Sequence, residues 1–207
     1  MHLIVKVSTL VIATRNKGKI AEIARILSFD SGIQIRSVAE FGLADIEETG
    51  TTFEENAALK ALTVARATGF AALADDSGLE VDALAGAPGI YSARYAGSHG
   101  DDKANNEKLI RELSGIAPNG RSARFIAVIA VAKPDGSTIM ARGELEGEIS
   151  ESARGVNGFG YDPLFKPLGS AKTLGEFEPG RKDEISHRAK ALAEIAPKIP
   201  LFLSGRE

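Results

Sequence analysis

Two adjacent carboxylates, Asp75 and Asp76, stand where an apolar run over residues 70–74 gives way to Ser77-Gly78. Neighbouring anions repel, so the pair asks for a cation, although Asp-Asp-Ser-Gly also reads as a solvated turn. Glu48 is a further acid that could join Asp76 around a divalent ion. Mg2+ needs only a few carboxylate oxygens and completes its shell with water and substrate phosphates. The loop Thr14-Arg15-Asn16-Lys17-Gly18-Lys19 sets three cations at a helix start, where free N–H groups and the positive end of the helix dipole also point. That arrangement is unfavourable unless an anion binds. A phosphate would engage the N–H groups, the dipole and the lysines together, with Gly18 letting the backbone approach. The Gly-x-x-x-x-Gly-Lys spacing of a P-loop is missing, and solvated lysines remain the plain alternative.

Arg181, Lys182, His187 and Arg188 gather around the start of the last helix, with Asp183 and Glu184 available to neutralise them. Asn56 and Lys60, four residues apart, share one helix face. They would either reach a common ligand or face solvent. In Gly158-Phe159-Gly160-Tyr161-Asp162 an extended backbone would turn both rings to one side. One ring could then stack on a planar base while the other packs; the glycines also suit a bent strand end.

These residues need elements to hold them. Residues 9–13 read as a buried strand at the end of an apolar stretch beginning at Leu3, and Ile20, Ile23, Ala24 and Leu27 follow at helical spacing. Residues 33–38 alternate like a strand. Thr52 with Glu55 three residues on predicts a capping box for a helix to about Thr68, stopped by Gly69. Residues 70–74 form the next strand candidate, and residues 101–113 a charged helix. Extended runs at 123–132 and 138–149 flank Pro134-Asp135-Gly136-Ser137, the pattern of a long hairpin. Ile185, Ala189, Leu192 and Ala196 give one last helix its core face, ended by Pro197. The expected fold class is mixed α/β, with helices packed on an extended sheet.

With 207 residues, the chain is read as one unit, 1–207, with a sizeable core or two lobes around a cleft. Hydrophobic content of 43% with interspersed charge describes a globular protein, and no apolar run is long enough for a membrane span. No signal cleavage pattern follows the apolar N-terminal stretch. The formal charge of −3 argues against binding nucleic-acid polymers, which needs an array of cations facing phosphates. The absence of cysteine removes thiol nucleophiles and cysteine-held metals and fits a reducing cytoplasm.

Taken together, Ala13 with the 14–19 loop, Glu47-Glu48-Thr49-Gly50-Thr51-Thr52-Phe53-Glu54-Glu55-Asn56-Ala57, Ala74-Asp75-Asp76-Ser77-Gly78, residues 86–95, residues 158–163 and Ile185-Ser186-His187-Arg188 resemble the inosine triphosphate pyrophosphatase family, also known by the HAM1 name. The matches run in order along nearly the whole chain. The resemblance implies an elongated α/β fold of two lobes around a substrate cleft and a homodimer. It also implies Mg2+-dependent hydrolysis of ITP, dITP and XTP to monophosphate and pyrophosphate. Carried over by position, Thr14, Arg15, Asn16, Lys17, Gly18 and Lys19 would hold the phosphates. Glu48 and Asp76 would ligate Mg2+, with Asp76 also the base. Ser77, Lys60 and Lys182 would contact substrate, Phe159, Gly160, Tyr161 and Asp162 would line the base pocket, and His187 and Arg188 would meet the purine edge. Arg15 stands where the family often has glycine, and Gly180-Arg181 where it often has acids. A 6-keto purine would satisfy donors such as Arg188, whereas adenine would leave them unpaired. That implies roughly tenfold to hundredfold discrimination per contact; rejecting guanine would need exclusion of its 2-amino group. A nucleotide-binding regulator without turnover and a metal-dependent phosphatase releasing orthophosphate are the competing readings.

Overall fold

The computed structural model describes residues 8–27 and 32–205, so the part of the first apolar stretch before Ser8 lies outside them. Six strands form one mixed sheet in the order β2-β1-β3-β4-β5-β6. They are β1 (Ser8–Ile12), β2 (Ile33–Ser37), β3 (Ala71–Val81), β4 (Ser122–Ala132), β5 (Thr138–Ile149) and β6 (Phe165–Pro167). β1 lies parallel to both β2 and β3, while β5 and β6 are antiparallel. As the Asp-Gly signal predicts, β4 and β5 are sheet neighbours joined by a tight loop, closed by the Lys133 N–H donating to the Ser137 carbonyl at 2.9 Å.

The chain packs as two compact units, and β3, β4 and β5 each contribute residues to both. The first unit comprises residues 1–76, 128–142 and 191–207. It holds α1 (Lys17–Ile26) and α2 (Phe53–Thr68). Leu10, Val11, Leu73 and Ala74 are buried in its strands, and Ala57, Ala61, Val64 and Ala65 form the buried stripe of α2. Asn56 and Lys60 lie on that same buried stripe, whereas Leu59 and Leu62 are half-exposed. The solvent-facing alternative for Lys60 is thereby excluded. Desolvating an ammonium costs several kcal/mol, so its position demands close anions.

The second unit, residues 77–127 and 143–190, holds α3 (Asp102–Glu112), α4 (Pro179–Ile185) and the first residues of α5 (His187–Ile195). Leu79, Val81, Leu109, Leu113, Phe125, Leu164 and Phe165 belong to its core.

Three expectations change. β3 does not end at residue 74 but continues through the two acids and Ser77 to Val81. Leu79 and Val81 are buried further along it, and each carboxylate finds a cation, so the pattern that suggested a turn is a strand with its charges compensated. The expected last helix is two helices, because Ser186 takes an extended conformation and its Oγ accepts from the Ala189 N–H at 3.1 Å. This N-cap places His187 and Arg188 in the first turn of α5. Nor does Pro197 end the helical run, since a 3-10 turn over residues 196–198 leads into a further helix, α6 (Ile199–Ser204). Among the described residues, no helix is long and apolar enough to cross a membrane.

Candidate active site

In an extended strand successive side chains leave by opposite faces, and β3 uses this to separate its two acids. Asp75, fully buried, pairs with Lys19 Nζ at 2.5 Å. Asp76 Oδ1 accepts from Lys60 Nζ at 2.7 Å, and Glu48 Oε1 accepts from the same ammonium at 2.8 Å. Three elements distant in sequence therefore place two carboxylate oxygens on one cationic centre. Among the described residues no group of three or more acids or histidines gathers around one point; the Glu48–Asp76 pair is a candidate hard-ion site on its own geometry, both carboxylates reaching one cationic centre. Two carboxylates with converging oxygens fit Mg2+, which leaves most of its shell to water and phosphate.

Burial pushes Asp76 up to about 6; Lys60 and Lys19 pull against that rise, and Glu48 adds to it. For Lys60, burial acts to lower the pKa, but the charges of Asp76 and Glu48 outweigh it and hold the ammonium above the usual lysine value. The result is a protonated lysine between two acids, one of which has a proton affinity close to neutrality, as suits a general base.

Glu48 sits in a loop that the first turn of α2 stitches down. Asn56 Oδ1 accepts from the Gly50 N–H at 2.8 Å, so this residue holds backbone where the sequence suggested a shared ligand. Glu55 Oε2 accepts from the Thr51 N–H at 2.6 Å, and Thr52 Oγ1 accepts from the Glu55 N–H at 3.1 Å. Thr52 thus supplies its half of the capping box, while the Glu55 carboxylate reaches Thr51. Residue 50 must be glycine for steric reasons: a Cβ there would lie 2.7 Å from Asn56 Oδ1 and from Glu55 Cβ. Gly50→Ala is expected to cost about 1–3 kcal/mol in a urea titration, as overpacking does, and to lower activity by displacing Glu48.

The first loop is ordered by its own side chains. Asn16 Oδ1 caps α1 by accepting from the Lys19 N–H at 3.1 Å, and Thr14 Oγ1 accepts from the Asn16 N–H at 3.2 Å. Lys17 is exposed and Gly18 half-buried beside it. No acid occupies the first turn of α1, which keeps the dipole's positive end available to an anion. Arg15 turns instead to the Leu43 carbonyl and to Asp45, 3.0 Å away.

In the second unit, the remaining sequence candidates come together around Phe159. Lys182 Nζ lies 4.7 Å and the Arg188 guanidinium 5.6 Å from the Phe159 ring centre. Arg188 is buried and donates to Ser77 Oγ at 2.9 Å. Lys182 pairs with Asp162, whose Oδ2 also accepts from the Phe159 N–H at 2.9 Å. Asp162 therefore holds the loop and the lysine at once. Residues 158–162 are not extended. Gly158 and Gly160 have φ of 77° and 61°, and the two rings part company. Tyr161 is buried with its hydroxyl donating to the Ser92 carbonyl at 2.9 Å, while Phe159 stays half-exposed. His187 stacks on Phe125 at 4.7 Å and 12°. Nothing in the local sequence marked Phe125, a core-pattern residue of β4, as the support of that histidine.

The Ham1 family model matches residues 10–198. The chain is 51% identical over 200 residues to a dITP/XTP pyrophosphatase of Listeria monocytogenes serotype 4b (strain F2365), covering 93% of this chain and 98% of that one. Among solved structures it is similar to the Staphylococcus aureus Ham1 protein, with a TM-score of 0.83 and 42% identity, covering 93% of this chain and 98% of that one. A HAM1 protein from Coxiella burnetii gives a TM-score of 0.85 at 40% identity with the same coverage.

Proposed function

The chain belongs to the Ham1 family, and from that premise we propose that it is a dITP/XTP pyrophosphatase. It hydrolyses non-canonical purine nucleoside triphosphates to the monophosphate and pyrophosphate and so clears them from the nucleotide pool. The observation that carries the reading is the convergence of Glu48 and Asp76 on the Lys60 ammonium, at 2.8 and 2.7 Å.

Glu48 and Asp76 are the residues that would hold Mg2+, which when bound supplies charge neutralisation on the phosphates and at the leaving group. Asp76 accepts a proton from the attacking water. The water oxygen bonds to one phosphorus of the α–β anhydride, the bridging P–O bond breaks, and the group across that bridge departs with the electron pair, giving monophosphate and pyrophosphate with either phosphorus attacked. Lys60 offsets the negative charge that gathers as carboxylates and phosphates meet. Lys19, held by Asp75, and Lys17 contribute further positive charge, and the α1 N-terminus contributes its N–H groups. Thr14 and Asn16 shape that turn. For the base, Phe159 offers its ring, while Lys182, Arg188 and His187 offer donors to a 6-keto purine edge; Ser77 and Asp162 fix Arg188 and Lys182. We further propose a cytoplasmic homodimer acting on free nucleotides. The family resemblance supports this, and sedimentation equilibrium tests it, with a monomer at micromolar concentration counting against it.

Pyrophosphate release from dITP with Mg2+, measured beside dATP and dGTP, tests the activity. dITP is expected to be hydrolysed at least tenfold better than dATP, from one lost hydrogen bond and its unpaired partner. Equal turnover of all three would remove the specificity. Orthophosphate as product would make the protein a phosphatase, and tight ITP binding without turnover would make it a regulator.

A further inference from the structure

The N-terminal part of α3 grips the peptide backbone immediately after Phe159. Asp102 Oδ2 accepts from the Gly160 N–H at 2.7 Å, and Asn106 Nδ2 donates to the Gly160 carbonyl at 2.9 Å. The two side chains are four residues apart, so one helical turn presents an acceptor and a donor together. They bind both polar groups of one glycine, as a neighbouring strand would. We propose that Asp102 and Asn106 are positioning residues that preset the Phe159 loop for the purine and so set substrate affinity rather than the rate of the chemical step.

The helix behind this grip is itself anchored. Leu109 and Leu113 lie in the core of the second unit. Asn105 accepts from the Ala96 N–H at 2.7 Å and donates to the Ala93 carbonyl at 3.4 Å. A clamp mounted on a packed helix holds a loop more closely than one mounted on another loop. The residue it holds needs such help: Gly160 has φ of 61° and no neighbour within 4 Å of where a side chain would begin. No side-chain packing helps to hold this left-handed residue, whereas both of its peptide groups are hydrogen-bonded to α3. Asn106 carries a cost consistent with a dedicated role, because its Oδ1 is buried with no hydrogen-bond partner among the described residues. Ordering the loop before substrate arrives removes that entropy loss from the binding step. Such a contribution appears in KM and leaves kcat alone.

The inference rests on the reading of Phe159 as the base platform, and the experiment separates the two. Steady-state KM and kcat for dITP are measured for the wild type, Asp102→Asn, Asn106→Asp, Asn106→Ala, Phe159→Leu and the double variant Asn106→Asp/Phe159→Leu. The two isosteric exchanges have unequal consequences. Asp102→Asn keeps an acceptor for the Gly160 N–H but gives up its charge, and is expected to raise KM by about threefold with kcat within about twofold. Asn106→Asp removes the donor and sets a carboxylate against the Gly160 carbonyl, raising KM about tenfold with kcat within about twofold. Asn106→Ala is expected to raise KM by a smaller factor and covers the case in which the aspartate variant fails to fold. Phe159→Leu raises KM by itself, and in the double variant the Asn106 change adds little, because both act on one ring. Equal impairment by the two isosteric exchanges would overturn the clamp. A fall in kcat at constant KM, or wild-type kinetics in both Asn106 variants, would also overturn it. Unchanged KM in Phe159→Leu would instead overturn the platform reading on which it stands.

Discussion

Asp76→Asn is expected to reduce pyrophosphate release from dITP by about 10³-fold or more, the scale of losing a general base, while making the metal-free protein more stable at pH 7.5. The first effect follows from the pairing of Asp76 with the same ammonium as Glu48 and from its near-neutral proton affinity. The second follows from linkage. Asp76 is pushed up to about 6 from 3.8, so the folded state holds this proton more tightly than the unfolded chain does. Its favourable contribution is fully present below about pH 4 and is lost as pH rises through about 6. Asparagine mimics the neutral acid at every pH and escapes that loss. The variant should therefore melt several degrees above wild type in EDTA at pH 7.5, up to about 3 kcal/mol of stabilisation, with the two curves converging near pH 4. Residual hydrolysis near the wild-type rate would remove Asp76 from the base role. A lower melting temperature at pH 7.5 would mean that the ionised form contributes to the fold.

Lys60→Met should have the opposite effect on stability. The ammonium is the shared partner of Glu48 and Asp76, at 2.8 and 2.7 Å, and is itself largely buried. Removing it leaves two carboxylates facing each other without their cation, a loss of about 3 kcal/mol for a buried ion pair deprived of one member. In a protein of this size the melting temperature would fall by roughly 6–12 °C. The loss should be greatest at neutral pH and smaller at pH 4.5, where Asp76 is protonated. Millimolar Mg2+ should recover part of it, because the ion restores positive charge between the acids. Thermal melts at pH 7.5 and 4.5, with EDTA and with Mg2+, read these outcomes. Equal destabilisation in all conditions would assign the effect to packing of the lysine stem and would weaken the case for a cation site. Turnover of dITP should fall as well, since the proposed mechanism uses the same ammonium to offset phosphate charge.

Together, the two variants separate the cost of function from the requirements of folding. The carboxylate proposed as the base opposes stability when ionised, and the lysine beside it limits that penalty. Such opposition between activity and stability is common where a site holds like charges in a dry interior.

Much of this was legible in the chain itself, because it follows from local rules. Thr52 and Gly69 bracket α2 through capping chemistry, and Asp135-Gly136 places the β4–β5 loop. An apolar run marks β1, alternation marks β2 and helical spacing marks α1. The chemically able residues, Glu48, Lys60, Asp76, Lys182 and Arg188, were identifiable by type and order. What the local patterns could not decide was which charges meet. Asp75 and Asp76 are equivalent as letters; only the continuation of β3 sends one to Lys19 and the other to Lys60. The sequence also left open which ring of the Phe159–Tyr161 pair packs, and the distant Ser92 carbonyl decides it for Tyr161. Asp102, Asn106 and Phe125 carried no local signal, because their partners lie 58, 54 and 62 positions away in the chain. Caps, turns and periodicity act within a few residues and so can be read from neighbours in the chain. Ion pairs, stacking and backbone clamps act across space, and only the folded sheet and its helices determine which groups are close enough to feel them.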